Sequence, residues 1–119
     1  MTTVLLIGFD PYRVPGVDAA EVAEALGRGR ERAAEQGFDL HECLLGVDDS
    51  VVDDVVAALT ARAWDCVVIG GGIRKPPPCL ELFEEIVNLV RTHVPGASIA
   101  FNTSPENSAD AVLRRLAAA

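Results

Sequence analysis

The stretch VVIGGGIRKPPP, Val67 to Pro78, sets an arginine and a lysine between three glycines and three prolines. Arginine presents a planar fork of donors that matches a carboxylate or a phosphate, and lysine supplies a compact point charge. Glycine tolerates positive φ and close approach to a ligand, and its amides can cradle an anion. Proline stiffens the segment, so less ordering entropy is lost on binding. Together these properties predict an anion site built from Gly70, Gly71, Gly72, Arg74 and Lys75. The segment is neither GxGxxG nor GxxxxGK[ST], and a tight strand-to-helix turn with two solvated charges is the plain alternative.

Three other short segments hold most of the remaining unusual residues: FDPYRVPGVD (Phe9–Asp18), GVDDS (Gly46–Ser50) and FNTSPEN (Phe101–Asn107). Arg13 adds a second cation. Asn102, Thr103 and Ser104 can donate hydrogen bonds to an anion, although Ser104-Pro105 also reads as an ordinary helix start. Asn102 follows a buried strand and has no capping duty, which leaves its amide free for a ligand. Asp10 is the candidate general base, and a salt bridge to Arg13 or Arg74 is its alternative. Asp48 and Asp49 can join Asp10 around Mg²⁺ or simply cap a helix.

The layout is superficially similar to a response-regulator receiver, but glycines stand where the phospho-accepting Asp would be, so that chemistry is excluded. No zinc-type spacing exists among Cys43, Cys66, Cys79, His41 and His93, and no metal site is assigned. Cys79 falls near a helix N-terminus, where thiols become nucleophilic. Its nearest helical histidine, His93, is about 20 Å along the same helix at roughly 1.5 Å per residue, so cysteine catalysis lacks a base. Cys43 and Cys66 read as inert strand residues, and His41 as a solvent-facing residue of an edge strand.

Four strand–helix pairs must position these segments. Thr3–Phe9 is a continuous apolar run, like a strand covered on both faces. Asp18 to about Gln36 is helical, opened by the box Asp18-Ala-Ala-Glu21 and stopped by Gly37; Val22, Ala23, Leu26, Ala33 and Ala34 form its stripe. Gly27 and Gly29 weaken that helix and threaten to break it. Phe38–Val47 is a more polar strand suited to a sheet edge. A second helix spans about Ser50 to Arg62, with Val51, Val52, Val55, Val56 and Leu59 inward.

Asp65–Ile69 is the third strand, and the helix after the prolines carries Leu80, Phe83, Ile86, Val87 and Val90 at helical spacing. Leu82 and Leu89 lie off that stripe and suit either a subunit contact or an all-round buried helix. Ala97–Phe101 is the fourth strand, and Val112, Leu113 and Leu116 face inward on the last helix. Alternating βαβα with apolar strands predicts one α/β domain over residues 1–119: a four-stranded, mostly parallel sheet in the order 2-1-3-4, flavodoxin-like or Rossmann-like, with helices on both faces. Ligands in such sheets sit beyond the strands' carboxyl ends, where all four segments meet.

Bulk properties narrow the partners. The chain of 119 residues carries a formal charge of −8. An acidic surface repels phosphate backbones, so neither nucleic acid nor an anionic membrane is expected. The N-terminal MTTVLLIGF has no basic leader and too short an apolar run for a signal or span. A cytoplasmic protein with free thiols is the expectation.

Gly8-Phe9-Asp10-Pro11-Tyr12 resembles the GFEPF-like turn that opens pyroglutamyl peptidases. GGGIRK followed by Glu84 or Glu85 and Asn88 is similar in order to another stretch of that family, with different spacing. FNTSPEN occupies the place of the family's SNSAG-like strand end, but Ala109 or Asp110 stands where its cysteine is needed, and no histidine follows. The resemblance implies an α/β layout with a polar pocket at Asp10, Arg74 and Asn102, without peptidase activity. The chain also resembles small uncharacterised bacterial α/β proteins.

The expectation is therefore binding of a small anion, a carboxylate or a phosphate ester, with no cofactor named. A hydrolase or lyase using Asp10 as base is the second reading. A homodimer through a free fourth strand, or through the helix after the prolines, is the third.

Overall fold

The computed structural model describes residues 1–118. Four parallel strands form one sheet: β1 (Thr3–Phe9), β2 (Asp39–Leu45), β3 (Cys66–Ile69) and β4 (Ser98–Phe101), in the order β2-β1-β3-β4. Val4 pairs with both Leu40 and Cys66, and Ile7 with both Cys43 and Ile69. This is the architecture that the alternating pattern predicts. The unbroken apolar run of β1 has a direct cause. Leu5 and Ile7 enter one core layer beneath α2 (Val51–Thr60) and α4 (Leu80–His93), while Val4 and Leu6 enter the other beneath α1 (Ala19–Glu35) and α5 (Ser108–Ala118). A strand buried on both faces cannot alternate. Each fully buried aliphatic side chain contributes about 1.5–3 kcal/mol.

Helix α1 starts as expected, with Asp18 Oδ1 accepting from the Glu21 amide at 3.1 Å, and stops at Gly37, whose φ is +76°. Gly27 and Gly29 do not break it. A Cβ on Gly29 would collide with the Pro105 carbonyl oxygen, so the glycine admits the β4–α5 connection against the helix. Ala34 lies outside the stripe and is exposed. At α2 neither Asp48 nor Asp49 caps the helix directly. Asp48 accepts from the Ser50 amide and hydroxyl, which holds its carboxyl below the usual carboxylate range. Val52, Leu113 and Leu116 are exposed rather than inward. Leu82 and Leu89 pack against the core layer of α4. Among the described residues, no helix is long and apolar enough to cross a membrane.

Candidate functional site

Gly70-Gly71-Gly72-Ile73-Arg74-Lys75 is not an open hinge. It forms the one-turn helix α3 (Gly71–Arg74), followed by a 3₁₀ turn at Pro77–Cys79. Positive φ occurs only at Gly16 and Gly37 among the described residues. The expected conformational reason for the three glycines is therefore corrected to a steric one. A Cβ on Gly70 would lie 3.2 Å from the Ile7 carbonyl oxygen, and one on Gly71 3.2 Å from Lys75 Cε. Glycine here lets β3 turn into α3 tightly against the end of β1.

Asn102 locks this turn to the next connection. Its side chain is 3% exposed; Oδ1 accepts from the Gly71 amide at 3.0 Å, and Nδ2 donates to Ser108 Oγ at 2.9 Å. Both ends of the amide are thus engaged within the chain, against the expectation that it is free. The Asn102 carbonyl accepts from Arg74 Nη2 at 2.8 Å, and the Thr103 carbonyl from Lys75 Nζ at 3.0 Å. Arg74 also lies over the Phe101 ring at 5.5 Å, and its buried Nε has no partner among the described residues. The Asn107 side chain accepts from the Thr103 and Ser104 amides. Pro105–Asn107 is a 3₁₀ turn, so α5 proper begins at Ser108.

Asp10 and Arg13 sit toward β2 rather than facing Arg74. Asp10 accepts from the Tyr12 amide at 2.9 Å and pairs with Arg13 Nε at 3.3 Å, while Arg13 Nη2 donates to the Leu44 carbonyl at 2.9 Å. The salt-bridge alternative for Asp10 is the arrangement present.

Between these pinned connections lies a cavity of about 840 Å³ at the carboxyl ends of the strands. The backbones of Gly70–Gly72 and residues 102–104 line one wall. The rest is apolar: Phe9, Pro11, Val14 and Val17 from the β1–α1 connection, Val22 and Leu26 from α1, Leu44 and Val47 beyond β2. No charged side chain lines it. Of the predicted site residues, Gly70, Gly71, Gly72, Asn102, Thr103 and Ser104 meet at the cavity, whereas Asp10, Arg13, Arg74 and Lys75 stay outside its lining.

The apolar wall was missed at the sequence level. Its signal was there: Pro11, Val14, Pro15 and Val17 make the β1–α1 connection too apolar for a solvated turn. Gly8 contributes as well, because a Cβ at this cavity-lining position would meet nothing within 4 Å. Cys79 borders the same space at the start of α4, while the other thiols lie in β2 and β3. Burial pushes the Cys66 thiol up to about 11 and raises that of Cys43. No cluster of metal-ligating side chains occurs among the described residues.

Neither a protein-family model nor a curated protein sequence matches the chain. A solved structure does: the crystal structure of a fragment of a "putative lipoprotein" from Peptoclostridium difficile 630, with a TM-score of 0.56. Identity is 14%, over 99% of this chain and 97% of that one. At that identity the likeness establishes the α/β fold alone, and the resemblance to pyroglutamyl peptidases stays confined to the three stretches that suggested it.

Proposed function

We propose that this protein binds a small amphipathic anion, with an apolar body in the strand-end cavity and a carboxylate or phosphate ester at the corner formed by Thr103, Ser104 and Lys75. The observation that carries this reading is the lining, which is apolar everywhere except at residues 102–104 and Cys79. Its volume of about 840 Å³ suits a small organic molecule. Bare phosphate or sulfate would leave most of that apolar surface uncovered. Lys75 is exposed and held by a single carbonyl, so its ammonium can turn to an anion at the rim.

Titrating hexanoate, octanoate and decanoate against inorganic phosphate tests the proposal. Affinity should rise about fourfold per added CH₂, from roughly 0.8 kcal/mol each. Gly8→Leu, which fills the cavity from its floor, should abolish binding while the protein stays folded. Lys75→Gln should weaken the carboxylates and spare the matching alcohols. Phosphate binding that Gly8→Leu leaves intact would sink the amphipathic reading and return the site to the cations.

A further inference from the structure

The sheet has two outer edges, and only one is a strand that carries charged residues of its own. β2 carries Asp39, His41 and Glu42, paired with Arg62 and Arg30. β4 reads Ser-Ile-Ala-Phe, with no charge and no proline. In a parallel strand successive residues direct their backbone groups alternately to the two sides. Ser98 donates to the Asp65 carbonyl, so Ile99 and Phe101 point to the open edge. Arg114 Nη2 holds the Phe101 carbonyl at 2.8 Å, which leaves the amide and carbonyl of Ile99 facing outward.

Helix α4 packs on one face of the sheet beside this edge, with Phe83, Val87 and Ile99 against one core layer. α2 packs along one flank of α4. At about 3.6 residues per turn, Phe83, Val87, Glu84 and Arg91 fall on the other. The Phe83 and Phe101 rings meet at 5.7 Å, so α4 and β4 touch through these two residues. Two residues back along β4, from Phe101 to Ile99, cover about 6.6 Å. Four to five residues down α4, from Phe83 to between Val87 and Asn88, cover nearly the same, about 6.8 Å. Counted from that contact, a two-fold axis beside Ile99, perpendicular to the sheet, falls near the middle of α4, between Glu84 and Arg91. Both are exposed, of opposite sign, and without an ion-pair partner among the described residues.

We propose that a second copy of this chain docks on the β4 edge. Ile99 exchanges both backbone hydrogen bonds with Ile99 of the second copy, the α4 helices run antiparallel through Phe83 and Val87, and Glu84 of each copy meets Arg91 of the other. The sheet becomes eight-stranded, and the exposed Phe101, 39% accessible, gains cover.

Sedimentation equilibrium across micromolar concentrations tests this on the wild type, Glu84→Arg, Arg91→Glu and the double swap. All changes are on the surface, so folding is not at stake. The wild type should dimerise. Each single reversal repeats at two symmetric sites and should weaken the dimer about tenfold or more. The double swap should restore it. A wild type that stays monomeric to about 100 µM, well above ordinary homodimer dissociation constants, overturns the proposal. So does a dimer that neither reversal weakens.

Discussion

The two ends of the sheet use their polar side chains in opposite ways. At the amino end they close the structure. Trp64 Nε1 donates to the Ala58 carbonyl, Asp65 accepts from the Thr3 amide, and His41 stands edge-on to Trp64 between Asp39 and Arg62. His41 keeps 34% of its side chain exposed on the edge strand β2. A shallow hollow of about 470 Å³ lies there. At the carboxyl end, Asn102, Arg74 and Arg13 are spent on bracing one connection against another, Lys75 is held by the Thr103 carbonyl alone, and the space between stays apolar and open. An unpaired buried polar group costs about 1–3 kcal/mol, so polar side chains near a fold's end go first to loop carbonyls and amides. A molecule entering the cavity would meet only what they leave uncovered.

Substitutions can break this contrast or sharpen it. The largest effect is expected at Gly29→Val, because a side chain there meets the Pro105 carbonyl and must push the cavity wall away. A loss of about 3 kcal/mol is expected, read as a drop of ten degrees or more in the thermal midpoint. A melt unchanged within a degree would show that α1 does not set the position of that wall.

Asn102→Ala should cost about 2 kcal/mol by orphaning the Gly71 amide and removing the donor to Ser108 Oγ, which keeps only its bond to the Pro105 carbonyl. It should also weaken carboxylate binding, since it frees α3. Urea unfolding and ligand titration on one preparation separate the two effects, and full ligand affinity in a destabilised variant would remove Asn102 from the site.

Trp64→Phe removes one hydrogen bond at the opposite end, about 1 kcal/mol. Ligand affinity should not change. If it does, the two ends are coupled and the contrast fails.

The last effect appears only in alkali. The folded Cys66 thiol, pushed to about 11 from an ordinary 9.0, holds its proton better than the unfolded one. Its stabilisation is complete below about pH 9 and is lost as pH rises toward 11. Cys66→Ala should flatten that part of a pH-dependent unfolding series.

Periodicity and composition determined the four strands, their parallel order and the double-sided core, because burial on two faces demands unbroken apolar runs such as Thr3–Phe9. The stop at Gly37 and the start at Asp18 were equally legible, since each is settled within one turn of chain. Gly29 was not, because its partner, Pro105, is distant in sequence. The same holds for the site. The residue types of Gly70–Lys75 and Asn102–Ser104 pointed to the end of the sheet where the cavity lies. Which of their atoms remain free depends on bonds across three connections, and only the tertiary structure decided that. It turned the expected polar pocket into an apolar one with a single polar corner.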